Sequence, residues 1–497
     1  MDHLIDELLN KTFGLPAIAG LFGWMVTVAF ILNIALSVRI VWVKGFRPNA
    51  ALAWIATLFA LPIAGLVLYV IIGENRIGAI RRRRHAKILK EVAGISQQWR
   101  DPRVLAATMS TADTQMAHLA ESSGAPEVLN GNLLQLSGDA AEQLQWIIDD
   151  INAAQQSVDV LFYIFEQDAT GKAVAEALAR AAQRGVKVRL LLDDIGSRAF
   201  LRSPMRTELA RQGVHVTAAL PASILRMIVK RVDIRNHRKL IVVDGKVAQT
   251  GSRNVADPDF KDNGTGKLGP YIDSWIRIRG PIARDLHILF MEDWGLEVGL
   301  HGSPQLPEEP AVEPHGVPVQ MIPSGPNFEN NVVAQLIQAS IQLARREIVF
   351  TTPYFMPDSA TIAAIEVAAR RGLRVTLILP RANDSKLAAL ASRANYGRLL
   401  AAGVELWEHR HGFLHSKTIS VDDELAIVTT ANLDRRSYEI NFETSIVAYD
   451  NAFATQLRRL QESYIANSDR VDERMWEKRG MLPRFAENLA NLMSPLL

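Results

Sequence analysis

Cysteine is absent from all 497 residues. That excludes disulfide frameworks, Cys-ligated zinc, iron–sulfur clusters and thiol catalysis. A charge excess is absent as well: 55 Lys+Arg stand against 53 Asp+Glu, a formal net charge of +2. A nucleic-acid binder working through bulk electrostatics is more basic than that, so no nucleic-acid partner is expected and any anion binding must come from local clusters. Charged residues are sparse, at 22%, against 48% hydrophobic. A chain of this composition is not disordered, and at this length it implies two or three domains with ample core.

Charge is missing altogether from two long runs, residues 14–38 and 48–73. Roughly 20 apolar residues cross a bilayer as a helix, so each run is long enough to span. The short connection carries Arg39, Lys44 and Arg47, and Trp42 and Tyr69 sit near the ends, where aromatic residues favour the interface. A cleaved signal peptide opens on a basic stretch, whereas here Asp2, Asp6 and Glu7 outnumber Lys11. Residues 1–75 therefore read as a transmembrane hairpin. The second run is followed by Arg76, Arg81, Arg82, Arg83, Arg84, Lys87 and Lys90, which places both termini and the bulk of the chain in the cytoplasm and against anionic headgroups.

Residues 76–125 are polar and helical in pattern, suiting a tether. Beyond them the chain repeats itself. A strand-like SVDVLFYIF (157–165), a helical GKAVAEALARAAQRG (171–185), VKVRLLLDD (186–194) and GVHV (213–216) find counterparts in REIVFTTPYF (346–355), ATIAAIEVAARRG (360–372), LRVTLILP (373–380) and GVELW (403–407). Alternating strands and helices predict two α/β lobes, 126–302 and 319–497, each with a largely parallel sheet. The Pro- and Glu-rich residues 303–318 read as an exposed linker.

Each copy ends on one constellation. HRKLIVVDGKVAQTGSRN supplies His237, Lys239, Asp244, Ser252 and Asn254. HSKTISVDDELAIVTTAN supplies His415, Lys417, Asp422, Thr430 and Asn432, every residue 178 positions after its counterpart. On a strand, residues i and i+2 share a face, so each His points with its Lys. This set suits attack on a phosphodiester. One neutral imidazole is the nucleophile and forms a phosphohistidine. A protonated one donates to the leaving alkoxide. Two Lys and two Asn hold the non-bridging oxygens. Each half supplies half of the site, so the lobes must meet face to face. Asp244 and Asp422 have two readings, as members of the catalytic motif or as turn formers in DG and DD.

The pattern H-x-K-x(4)-D followed by G-S-x-N resembles the phospholipase D superfamily; the second copy departs from it with Thr429-Thr430 in place of Gly-Ser. More of the chain is similar to one branch, the bacterial cardiolipin synthases. RPNAALAWIATLFALPIAGLVLYVIIGENR (47–76), YIFEQDATG (163–171), LLDDIGS (191–197), IRNHRKLIVVDG (234–245), PSGP (323–326), TTPYFMPD (351–358), ANLDRRSYEINFE (431–443) and SPLL (494–497) carry the likeness. The resemblance implies duplicated phospholipase D-like α/β lobes with pseudo-two-fold symmetry. It implies His237 as nucleophile and His415 as acid, with a carboxylate orienting each ring: Asp273 in YIDSW for His237, and Glu443 in NFE for His415. Such a carboxylate fixes the tautomer and supports the imidazolium. The resemblance also implies catalysis without metal or cofactor and a multi-pass place in the bacterial cytoplasmic membrane. The partners it implies are the phospholipids phosphatidylglycerol and cardiolipin, with a homodimer left open.

The implied reaction moves a phosphatidyl group from one phosphatidylglycerol to another and releases glycerol. A phosphodiesterase of the same fold would pass it to water or another alcohol, and a non-catalytic membrane scaffold would keep the fold without needing both sets of His, Lys and Asn. Two further stretches stand out. PASILRMIVKRVDIRNHRK (221–239) places Arg226, Lys230, Arg231 and Arg235 among apolar residues, as an interfacial element or a solvated loop. PRFAENLANLMSPLL (483–497) is amphipathic and is expected to form a helix packed on the lobe.

Overall fold

The computed structural model describes residues 15–42, 48–73, 79–97, 109–221, 231, 233–262, 268–299, 312–328 and 331–494. Arg226, Lys230 and most of the expected linker lie outside the described residues. The chain divides into two compact units, Met1–Gly78 with Ala222–Asp233, and Ala79–Pro221 with Ile234–Leu497.

In the first unit the helix Leu15–Trp42 is apolar on every side, and its Gly23–Trp42 portion is long and apolar enough to cross a membrane. The second run does not form the single helix expected of it. It breaks into Pro48–Ala60, Pro62–Leu68 and a π-helical turn, Tyr69–Gly73. Pro62 causes the break, because it has no N–H to give the carbonyl four residues back and its ring crowds that carbonyl. Asn33 repairs the damage: its Nδ2 donates to Leu58 O at 2.7 Å and to Pro62 O at 3.0 Å. Asn33 is fully buried, and a carbonyl freed in apolar surroundings needs such a partner. One uninterrupted apolar helix and a broken apolar run therefore stand where two continuous helices were expected.

The second unit is built on one 15-stranded sheet. The first half contributes β1 (Leu129–Ser137), β2 (Ser157–Phe162), β3 (Lys187–Asp193), β4 (His215–Ala219), β5 (Leu240–Val243), β6 (Val247–Gly251), the two-residue β7 (Tyr271–Ile272) and β8 (Trp275–Arg279). The second contributes β9 (Val317–Ser324), β10 (Glu347–Thr351), β11 (Phe355–Met356), β12 (Arg374–Pro380), β13 (Glu405–His409), β14 (Phe413–Leu414), β15 (Thr418–Val421), β16 (Leu425–Thr429), β17 (Leu433–Asp434), β18 (Glu443–Ala448) and β19 (Ser468–Arg470). The order is β19-β13-β12-β10-β15-β16-β18-β9-β1-β8-β6-β5-β2-β3-β4. Read outward from the antiparallel β9–β1 join, the halves match strand for strand as far as β13 and β4, as the duplication predicts, and β19 is an addition at the outer edge of the second half.

The sheet is mixed where a largely parallel one was expected. β2, β3 and β4 run parallel, as do β10, β12 and β13, but β5, β6 and β8 are antiparallel, as are β15, β16 and β18. The short turns after Val243 and Val421 join neighbouring strands directly, which only an antiparallel pair allows. Matching helices follow β2 and β11. Ala169–Gln183 and Ser359–Arg370 are N-capped by Asp168 and Asp358, whose side chains accept from Gly171 N and Thr361 N. Each half has its own core, and a third apolar cluster crosses the join, with Leu129 and Ile278 packed together with Val319, Val428 and Ile446.

The expected tether is docked on this body. Helix Ala79–Gln97 lies against helix Ile282–Val298, where Arg81 pairs with Glu297 at 2.6 Å, and helix Thr111–Ser122 lies against Val332–Leu343.

Candidate active site

Both histidines precede a short inner strand, β5 or β15, and both are stitched to the opposite lobe. His237 N donates to Phe442 O at 2.9 Å, next to a parallel bridge between Asn236 and Phe442. His415 N donates to Ile272 O at 2.8 Å, where β14 pairs with β7. The residue after Phe442 is Glu443, and the residue after Ile272 is Asp273. The stitching therefore exchanges the orienting carboxylates between lobes. His237 Nδ1 lies 2.9 and 3.0 Å from the two Glu443 oxygens, and His415 Nδ1 lies 2.7 Å from Asp273 Oδ1. This corrects the sequence assignment, which gave each histidine the carboxylate of its own half.

Ser252 and Thr430, expected to bind substrate, are engaged elsewhere. Ser252 Oγ donates to Asp273 Oδ1 at 2.6 Å and accepts from Ser274 N at 3.0 Å. Thr430 Oγ1 donates to Glu443 and accepts from Thr444 N at 2.9 Å. Each hydroxyl thus fixes the carboxylate that its own lobe sends across. The residues before them differ for a steric reason. Gly251 has φ +152°, and a Cβ there would stand 2.3 Å from Ser274 O. Thr429 is free of that backbone conformation, and its hydroxyl reaches Ser445 Oγ at 2.7 Å.

Asp244 and Asp422 take the turn-forming role, not the catalytic one. Both have φ +54°. Asp244 accepts from the backbone N–H of Gln155, Gln156 and Ser157 at 2.7–2.9 Å, and Asp422 from Arg345, Arg346 and Glu347 at 2.6–2.8 Å. Each staples its turn to the start of β2 or β10, outside the cavity walls. Lys239 and Lys417 are buried beneath their histidines, Nζ donating to His237 O at 2.8 Å and His415 O at 2.7 Å.

The histidines, Asn254 and Asn432 face one cavity of about 490 Å³. Asn254 Oδ1 accepts from Ile164 N at 3.3 Å, which turns its amide nitrogen to a ligand. Of the rest of the wall, sequence reasoning singled out Arg235 alone, and that residue is buried and paired with Asp193. Tyr163 stands edge-on to His237 at 5.0 Å and Tyr271 to His415 at 5.2 Å, between ring centroids. Asp384 gathers Lys261 Nζ at 2.9 Å, Tyr271 OH at 3.1 Å and Tyr354 OH, a polar clasp from one lobe to the other. Tyr163 and Tyr354 lie inside segments that carried the family likeness; Lys261 and Asp384 left no such signal.

The profile described as "Cardiolipin synthase, PLD-like domain" matches residues 147–264 and 337–464, one stretch in each lobe. Cardiolipin synthase A of Erwinia tasmaniensis is 37% identical over 480 residues, spanning 96% of this chain and 98% of its own length. Cardiolipin synthase A of Escherichia fergusonii is 36% identical over the same shares. The chain belongs to the cardiolipin synthase family. The crystal structure of phosphatidylserine synthase from Haemophilus influenzae matches with a TM-score of 0.60 at 17% identity, covering 77% of this chain and 100% of that one, so the two share a fold.

In this member of the cardiolipin synthase family, burial dominates the electrostatics of the site. It pushes His237 down to about 4 against the pull of Glu443, and His415 down to about 4 with help from the Lys417 charge. Burial also lowers Lys239 to about 8, and lowers Lys417 to about 7 with Lys239 adding to the effect. The carboxylates resist burial: His415 and Lys417 hold Asp273 well below the usual carboxylate range, and His237 and Lys239 lower Glu443. Near neutral pH the site therefore holds two neutral imidazoles. Each donates its Nδ1–H in a hydrogen bond to a carboxylate and keeps the Nε2 lone pair. Among the described residues, no cluster of three or more His, Asp or Glu converges as metal ligands do.

Proposed function

We propose that the chain transfers a phosphatidyl group from one phosphatidylglycerol to the glycerol hydroxyl of a second, making cardiolipin and releasing glycerol. Full-length likeness to relatives named cardiolipin synthase supports the lipid substrate. One geometric observation carries the mechanism: two imidazoles, each oriented by a carboxylate, face a single cavity. His237 Nε2 attacks phosphorus, and the bond to glycerol oxygen breaks as His415 donates a proton to it. The negative phosphodiester favours the imidazolium form of His415 at that moment. His415, now neutral, takes the proton of the incoming hydroxyl, whose oxygen displaces His237 from phosphorus. Lys239 and Lys417 supply positive charge beneath the rings, and the Asn254 and Asn432 amides donate to the non-bridging oxygens. We read residues 15–42 and 48–73 as a hairpin in the bacterial cytoplasmic membrane, with the lobes on the cytoplasmic side. The basic residues Arg81, Arg83, Arg84, Lys87 and Lys90 support that orientation.

Expression in a bacterial host lacking cardiolipin tests the reaction. Cardiolipin is expected to appear with an equal amount of free glycerol. Phosphatidic acid without cardiolipin would make water the acceptor and overturn the transfer reaction.

The pH dependence follows from the free site. Below the histidine values of about 4 the nucleophile is protonated, and above the lysine values of about 7 and 8 the positive charge is lost. A bell-shaped kcat/KM is expected between those limits, its apparent values belonging to the cluster as a whole. Lys417→Arg, which stays charged, should move the alkaline limb upward in steady-state assays from pH 4 to 9.

A further inference from the structure

The helix Met481–Leu492 is attached to its lobe by the wrong face for a soluble protein. Its buried side chains are Glu487 and Ala490. Ala490 packs with Met356, Ala388 and Ala391, and Glu487 accepts from Arg479 at 2.6 and 3.0 Å. The opposite face is apolar and open, with Met481 87%, Leu482 82%, Phe485 67%, Leu489 54% and Leu492 76% exposed. At 100° per residue these five side chains fall in one stripe about 100° wide. A helix that only completed a core would turn that stripe inward. The tail is thus packed on the lobe as the sequence predicted, but with its apolar stripe facing away.

We propose that this stripe docks the lobe onto the surface of a phospholipid bilayer, next to the mouth through which the lipid substrate enters. The inference rests on the proposed lipid substrate, and three observations choose the occupant. The helix lies directly against helix Lys386–Arg393, whose Ala388 lines the cavity, so the stripe is one helix layer from the chemistry. The helix has a single exposed charge, Arg484, and it is basic, which complements anionic headgroups; the exposed charges just before the helix are mixed, with Glu477 beside Lys478. The same chain already carries a helix apolar enough to enter a bilayer, Gly23–Trp42. A short amphipathic helix of this kind lies in the interface plane with its apolar face below the headgroups.

The absence of cysteine makes a direct test simple, because one introduced thiol takes a label at one place. The full chain is reconstituted in phosphatidylglycerol–phosphatidylethanolamine vesicles with an environment-sensitive fluorophore on Phe485→Cys, Leu489→Cys or Arg484→Cys. Lipids brominated in their acyl chains are expected to quench the first two about threefold more than the third, following the helical period. Uniform, weak quenching overturns the proposal. So does energy transfer between chains that grows with protein concentration at fixed lipid, which would mean that a second copy covers the stripe. This readout needs no turnover, so it fails or succeeds independently of the reaction assigned above. A Met481→Ser/Phe485→Ser/Leu489→Ser variant should need about tenfold more substrate in the vesicle surface for half-maximal rate, yet turn over monomeric short-chain phosphatidylglycerol unchanged. Equal loss on both substrates would make the helix a cavity support and overturn docking.

Discussion

His237→Ala and His415→Ala are each expected to abolish cardiolipin formation, a loss of at least about 10⁴-fold, because nucleophile and acid act as a unit. The two losses should differ in kind. With a substrate whose leaving group departs without a proton, such as a phosphatidyl-nitrophenol, His415→Asn is expected to accumulate a phosphoryl adduct on His237, stable to alkali and labile to acid. Peptide mapping locates it. An adduct found only on His415, in the matching His237→Asn variant, would reverse the roles and keep the two-step mechanism. No adduct under any trapping condition would count against covalent catalysis itself.

Glu443→Gln and Asp273→Asn should each cost about 10² to 10⁴-fold, because an amide no longer fixes the ring tautomer. Their exchange between lobes makes the two variants distinguishable. Glu443 faces His237 at 2.9 Å, so Glu443→Gln is expected to slow adduct formation whatever the leaving group. Asp273 faces His415 at 2.7 Å, so Asp273→Asn should recover most of its adduct-forming rate once the leaving group needs no proton. Rapid-quench measurement of adduct formation separates the two. The reverse pattern of rescue would return each carboxylate to the histidine of its own half.

Much of this site is legible in the sequence because duplication writes it twice. A lone His-x-Lys carries no information, but two sets at a constant offset of 178, each following a matched strand–helix pattern, do. The carboxylates themselves could be found, but not their partners. Their exchange is decided by β7 pairing with β14 and by the Asn236–Phe442 bridge, elements of two residues or fewer that leave no periodic trace. The resemblance places a carboxylate after each motif without saying which ring it meets across the lobes, and so it pairs each with the histidine of its own half. Ser252 and Thr430 were placed at the site but given the wrong task, because composition does not show that their hydroxyls are spent on carboxylates. Apolarity marks the run 48–73 as one long segment but is blind to one missing N–H at Pro62. The pattern of the tail helix was plain, but a moment has no sign relative to the protein, so the face that packs was invisible.

A histidine and a carboxylate 206 positions apart are not made at the same moment. At about 5–20 residues per second, a ribosome completes Glu443 some 10 to 40 seconds after His237. Through that interval the emerging chain holds His237 with no acceptor for its Nδ1 proton, and for most of it no second imidazole either. On the mechanism proposed above such a chain is expected to be inert toward phosphodiesters, and to become reactive only when β18 joins the sheet, with little more than the last helices left to add. A catalyst that cuts the lipids of its own membrane is in this way kept silent until its synthesis is almost finished.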